Sequence, residues 1–352
     1  MNDKQQKAVK QKEKKQNNDR VDGKKISQIV VIILLLLVIA LAVQKILKNE
    51  QGSAPSTSDS SMAKGTLMIV NGNPISTEVF RYQAYSVFGP YAAQVDEHPY
   101  LLNTVKRLAE QRIILICNYI KWAKELGIDA HSMRARIDAE IEDEKEMLGE
   151  KFAAYLLENR YTEASFEQSV SDTVILEALD ETLRNPEGKF MKMGENTIAE
   201  YCEEQGFYAI QMIRMSFADG SEQDIQRRAA QMAYQALRDG EPFEELMQQY
   251  TDEDEREKHP NGYILRPGET ADVLEQAALG LECEEISEVL TVGNTYYILK
   301  RVEPDPEELH ERAYDCIYRE RVENKLLELR QTQTVQYAPN YDQIDMAALL
   351  RE

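Results

Sequence analysis

Four cysteines (Cys117, Cys202, Cys283 and Cys316), four histidines and one dense acidic run, TDEDERE at 251–257, are the residues here that could ligate metals or do covalent chemistry. Their spacing argues against the familiar versions of both. No two cysteines form a CxxC pair, and no histidine stands where a zinc site would need it. A calcium loop of the EF-hand kind needs acids at alternate positions followed by glycine, and Arg256 and Glu257 occupy those places. The run reads as a solvated acidic loop, and His259 beside Pro260 as a solvated side chain within it. Cys117 lies in RIILICNYI, the ordinary setting of a buried free thiol. Free thiols are the expectation for all four, although an exported chain could also form disulfides. Two less obvious segments remain. One is TVGNTYYILKRVE at 291–303, a strand with Tyr297 in its middle; the other is the aromatic stretch YQAYSVFGPYAAQV at 82–95.

The chain has 352 residues and a net charge of −21. Residues 1–25 hold nine Lys/Arg against four Asp/Glu, and Ile26 to Leu47 is a nearly uninterrupted apolar run. At about 1.5 Å per residue this run makes a helix of roughly 33 Å, enough to span a hydrocarbon core of about 30 Å. The basic leader places residues 1–25 in the cytoplasm and the rest outside. The competing reading is a cleaved signal peptide, for which Ala40-Leu41-Ala42 fits the small-x-small rule. Against it stand the long charged leader and a span filled with Leu, Ile and Val. Residues 50–352 sum to −28. That charge repels phosphate backbones and excludes nucleic acid as a partner class. It serves solubility, and it would equally attract basic unfolded chains.

Positioning elements follow from periodicity and breakers. Residues 48–65 are small and polar and read as a flexible linker. TLMIV (66–70) is a strand and NGNP a turn, after which Ser76 or Thr77 caps a helix. A long helix runs from about 100 to 126, ended by Gly127, with further helices at 130–148, 150–159 and 163–184. After Gly206 the period changes. YAIQMIRMSF is a strand, 221–240 and 241–250 are helices, YIL is a short strand, TADVLEQAALGL a helix, and EISEVLTV and TYYILKRVE close the set. PDPEE then opens a helix to about Leu329, and TVQYAPNY is a last strand. The expected fold class is α+β. The end strands TLMIV and TVQYA have no local partner, so they are expected to pair and close one discontinuous domain.

Over nearly all its exported length the sequence resembles a known family. LMIVNGNPISTEVF, the long helix ending in AKELGI and the helices after it are similar to the N-terminal domain of SurA/PrsA-type foldases. Residues 206–303 resemble a parvulin-type (PpiC-like) peptidyl-prolyl isomerase domain, through ALRDGEPFEELMQQYTDED, NG-YIL, EQAALGL and EISEVLTVGNTYYILK. Composition and hydropathy give a basic tail 1–25, a transmembrane signal anchor 26–47 and the linker 48–65, and the resemblance adds a helical chaperone domain 66–205. A parvulin-like domain 206–303 is inserted, and 304–352 completes the chaperone domain. It implies unfolded exported proteins as clients, a homodimer as a common assembly, and no cofactor or metal.

The catalytic part of the resemblance is poorer. The family's first histidine corresponds to Met212, its second to Tyr297, and its Cys or Asp to Glu253. The Leu, Met and Phe of its proline pocket correspond to Ile264, Thr270 and Leu274. Proline isomerisation needs no nucleophile. It lowers a barrier of about 18–20 kcal/mol by favouring the twisted amide over the planar one. That takes a dry apolar seat and ordered hydrogen bonds around the carbonyl. Met212 donates none, Thr270 adds a hydroxyl to the seat, and no histidine occurs from 132 to 258. The expectation is weak or absent catalysis. The alternatives are an active isomerase using Tyr297 and Glu253, or a structural partner of secretion or envelope machinery. Tyr85, Phe88 and Tyr91 in the aromatic stretch are the candidate client contacts. Tyr82, Tyr85 and Phe88 fall at i, i+3 and i+6, however, a spacing that also suits packing into the helical core.

Overall fold

The computed structural model describes residues 57–58, 62–88, 101–218, 220–251, 259 and 261–351. By its internal contacts the chain divides into two units. One takes residues up to Asn185 together with Asn324–Glu352, and the other is Pro186–Glu323. The second unit therefore includes, beyond the 206–303 stretch, the residues on either side of it.

The first unit is built on a small sheet of β1 (Thr57–Ser58), β2 (Thr66–Val70), β3 (Asn73–Ser76) and β8 (Val335–Tyr337), in the order β1-β8-β2-β3. The end strands pair as expected: β8 lies antiparallel to β2, with Met68 opposite Tyr337 and Val70 opposite Val335. Two details differ from the sequence reading. The turn is only Asn71-Gly72, both at positive φ, the two-residue geometry that joins hairpin strands without splaying them. Pro74 then sits in β3 at the sheet edge, where its missing N–H costs no ladder bond. Within the expected linker, Thr57–Ser58 pairs parallel to Gln336–Tyr337.

The helices of this unit are α1 (Thr77–Phe88), α2 (Leu101–Glu125), α3 (Arg134–Leu148), α4 (Phe152–Glu158) and α5 (Glu163–Arg184). Ser76 Oγ accepts from Val79 N at 3.2 Å and caps α1. Thr162 and Ser165 form a reciprocal capping box at α5, and Thr162 Oγ1 also donates to Glu78 Oε2 on α1 at 2.9 Å. The core joins Met68, Val70, Phe80, Ala109 and Ile113 to Tyr341, Met346 and Leu350 from the far end of the chain. The last three belong to a turn at Tyr341–Gln343 and a short helix α11 (Met346–Arg351), neither of which was expected from sequence.

The second unit carries a sheet in the order β5-β4-β7-β6, all antiparallel, from β4 (Tyr208–Ser216), β5 (Tyr263–Leu265), β6 (Leu290–Val292) and β7 (Thr295–Val302). Its helices are α6 (Thr197–Gln205), α7 (Gly220–Arg238), α8 (Phe243–Tyr250) and α9 (Asp272–Gly280), with the leading part of α10 (Pro306–Thr332). The helix α6 was also not expected. Its Gly206 cap adopts the left-handed conformation that glycine accepts without cost. One sheet face packs Ile213, Met215 and Ile298 against Ala230 and Ala233 of α7 and Phe243 and Leu246 of α8. The other face holds the candidate site.

No helix among the described residues is long and apolar enough to cross a membrane. The expected span 26–47 lies outside them, as do Glu253 and Tyr91 and the side chain of Phe88.

Candidate functional site on the second sheet

Side chains alternate between faces along a strand, so the register of β4 and β7 decides which residues meet. Tyr208, Ile210, Met212 and Arg214 share one face. Met212 lies opposite Leu299, and Arg214 lies opposite Tyr297. Tyr297 in turn lies opposite Leu290 of β6. Met212 and Tyr297 are thus diagonal neighbours, a relation of about 7–8 Å between strands. Leu274 and Ala278 of α9 cover the inner end of this face, on Tyr208, Ile210 and Leu299. Met212, Tyr297, Leu290 and Val292 flank that cluster and are only half-buried. The result is an apolar seat, closed by α9 at one end and open at the other.

Three of the residues named from sequence, Met212, Leu274 and Tyr297, are therefore brought together. Ile264 is not. It lies opposite Ala209, so its side chain leaves the sheet on the other face, while its neighbours Tyr263 and Leu265 point to the seat. Thr270 stands half-buried in the turn before α9. Arg214 was missed, although period-two alternation in YAIQMIRMS puts it on the same side as Met212. Its guanidinium carbon stands 5.9 Å from the centre of the Tyr297 ring, in cation–π range. Its backbone N–H donates to Thr251 Oγ1 at 3.1 Å, which fixes the start of the acidic loop beside β4.

Across the β5 edge, Gly262 adopts φ +92°, and a Cβ there would stand 2.4 Å from Ile210 O. Only glycine lets the chain pass this close to β4. Gly262 N donates to His259 O at 3.0 Å, and the exposed His259 ring stacks on Tyr263, 4.1 Å between centroids. The floor of the seat carries no imidazole. Of its hydrogen-bonding side chains, Tyr297 and Arg214 sit at the open end, and Tyr208 is buried at the end covered by α9. Such a face can hold an apolar ring and offer a phenol or a guanidinium to a nearby carbonyl.

In the first unit, Tyr82 is buried, its ring 4.8 Å from that of Tyr161. Tyr85 is half-buried, packs on the first core, and lies under Arg160 at 5.4 Å. The packing reading therefore describes both.

Residues 211–303 match the rotamase family, as its PPIC-type PPIase domain. The match lies within the 206–303 stretch for which the PPIC-type resemblance was read, and leaves α6 and α10 outside it. Solved structures similar to the chain include the foldase protein PrsA from Streptococcus pneumoniae, 16% identical over 63% of this chain and 80% of that one, with a TM-score of 0.34. PrsA from Bacillus anthracis is 19% identical over 62% and 95%, with a TM-score of 0.32. A structure of the SurA-like chaperones PEB4 and Cj1289 from Campylobacter jejuni gives 13% identity over 78% and 100%, and 0.30. No curated protein matches the chain.

Proposed function

We propose that this protein is a membrane-tethered, extracytoplasmic foldase of the PrsA/SurA type whose isomerase domain binds clients without efficiently catalysing their isomerisation. Residues 26–47 form the anchor. Residues 66–205 with 304–352 hold unfolded or partly folded exported proteins, as a monomer or homodimer, and 206–303 is a second contact surface. The observation that carries this reading is the seat of the PPIC-type domain: Met212 and Tyr297 stand where the family resemblance places imidazoles, and both line one apolar face. A phenol beside a thioether can seat a proline ring, and with the Arg214 guanidinium it offers donors at the open end in place of the imidazole pair that the resemblance implies. The aromatic stretch 82–95 supplies client contacts through Phe88 and Tyr91, since Tyr82 and Tyr85 are committed to packing.

The ectodomain, residues 50–352, should suppress aggregation of an unfolded client at stoichiometric amounts and leave a proline-limited refolding rate unchanged. A rate gain that Tyr297→Phe or Glu253→Ala abolishes would overturn the catalytic part. Failure to suppress aggregation would favour a structural partner of the secretion machinery. A second reading, an active isomerase, draws support from His259, which stacks on Tyr263 of the same face. It requires His259→Ala to remove whatever rate gain is found.

A further inference from the structure

We infer that Arg312, Glu320 and Tyr201, three residues outside the PPIC-type match, are positioning residues that set the apolar seat by holding the turn from which α9 starts. The turn comes first. In Arg266-Pro267-Gly268-Glu269, proline and glycine take the two central places of a tight turn, with Gly268 at φ +86° and Glu269 N donating to Arg266 O at 3.1 Å. Its two ends therefore stand side by side, and Arg266 Nε donates to Glu269 Oε1 at 3.1 Å. From this turn the chain enters α9 with little else to fix it. The cap residue is Ala271, whose side chain cannot accept a hydrogen bond, and Glu275 in the first turn of the helix reaches back to accept from Gly268 N. Where the turn sits thus decides where Leu274 and Ala278 come down on Tyr208, Ile210 and Leu299.

Two helices outside residues 211–303 grip that turn. Arg312 of α10 donates through Nη2 to both carboxylate oxygens of Glu269, at 2.9 Å each. Arg266 Nη1 donates to Tyr201 Oη of α6 at 3.0 Å and to Glu320 Oε1 of α10 at 3.1 Å. The Tyr201 phenol donates to that same carboxylate oxygen. Arg312 and Glu320 stand about two turns apart, so one side of α10 presents both charges. The side chains of Glu269, Arg266 and Arg312 are only 22%, 25% and 28% exposed, so water screens these pairs less than surface ones. Burial would raise the Glu269 carboxyl, yet the Arg266 N–H and the Arg312 and Arg266 guanidiniums hold it below its ordinary value.

This clamp does more than fasten helices to a domain, because it falls on the turn that feeds α9. The central strands are held by their own ladder from Ala209 to Ser216, and the apolar face would outlast loss of the clamp. What shifts is the wall that closes one end of that face. A displaced α9 leaves a wider seat, in which a proline ring forfeits contacts that fall off steeply with distance. With the seat read as a contact surface for proline-containing client segments, on which this assignment rests, its affinity is set by α6 and α10.

The test uses the full chain in lipid nanodiscs, with a short fluorescein-labelled peptide carrying a central Leu-Pro pair as the probe. Arg312→Met should weaken binding about five- to tenfold, the scale of one lost charge-assisted contact, and Arg312→Lys, which keeps a charged donor, should recover part of it. Tyr201→Phe, which deletes one oxygen and keeps the ring, should fold and lose about two- to threefold. Arg319→Met, at an exposed position on the same helix, should change nothing. Hydrogen exchange gives a readout free of the peptide: amides 272–280 should exchange faster in Arg312→Met while 209–216 keep their protection. Unchanged affinity in Arg312→Met would overturn the positioning role, as would a loss of protection spread evenly over the second unit, which marks lost stability alone. The client reading fails separately, if Met212→Trp, which fills the seat, leaves the peptide bound as before.

Discussion

The two units solve the problem of closing a sheet in opposite ways. In the second, every strand lies within residues 208–302, and the central pair β4 and β7 is flanked by its own local partners. In the first, the strand at 66–70 finds its second neighbour at 335–337, and a core begun at Leu67 is finished by Leu350. One unit is self-sufficient in sequence; the other exists only when both ends of the chain are present. The difference lies in where the stabilising contacts come from, since both use a four-stranded sheet with helices on it.

The sharpest way to break this contrast is to remove residues 333–352. That strips β8 and the buried Tyr341, Met346, Leu349 and Leu350. At about 2–5 kcal/mol for each large side chain lost from a core, the total is about as large as a typical domain stability of about 5–15 kcal/mol. The first unit should lose its unfolding transition and its slow hydrogen exchange, with the second unchanged. A surviving first transition would mean that the far end is an ornament.

The converse is Gly262→Ala. Its Cβ meets the Ile210 carbonyl at 2.4 Å and the backbone is left-handed there, so the second unit alone should lose about 2–4 kcal/mol. Denaturant unfolding followed by Tyr263 and its neighbours would read it.

A smaller effect is expected where the ends of the first unit are joined by amides. Asn71 Nδ2 donates to Asn118 Oδ1 at 2.8 Å, Asn118 Nδ2 donates to Gln333 Oε1 at 2.9 Å, and Thr334 N donates to Asn71 Oδ1 at 3.1 Å. Asn118→Ala strands two partners and should cost the first unit about 1–3 kcal/mol. No change would show that water replaces the side chain freely.

The smallest is a pH effect. Asp172 on α5 is only partly covered but surrounded by dense protein, and its carboxyl is pushed up to about 7 by that burial. The folded state therefore keeps a proton that the unfolded state has released, so stability falls as pH rises from about 4 to 7 and is flat above. Asp172→Asn should raise the first transition by a degree or two at pH 8, leave it unchanged at pH 4, and flatten the slope between. An unaltered slope would place the titration elsewhere.

Legibility in the sequence followed the same divide. The alternation of YAIQMIRMS and TYYILKRVE, and the asparagine-glycine before YIL, are local signals, and they gave the second sheet its strands. Pairing of TLMIV with TVQYA was legible because two orphan strands need partners. The helix at 346–351 was not. Six residues hold too few turns to show a period, and what makes them helical is burial against Phe80 and Ile113, some 230–270 residues earlier. The helix at 197–205 escaped for a related reason: a nine-residue segment rich in glutamate shows a weak apolar stripe. Within the site, the strand register brings Met212, Leu274 and Tyr297 to one face, whereas Ile264 was carried over from the family's pocket pattern and its register with Ala209 turns it to the other.

The pairing of β2 with β8 also sets an order of events. Chains are made from the N-terminus, so residues 66–185 emerge first yet cannot finish their sheet until Val335 arrives. By then all of 186–323 has passed and can already be folded, since its contacts are nearer in sequence and quicker to form. The half that is born first is thus completed last, and during that interval its apolar helices stand open beside a finished domain.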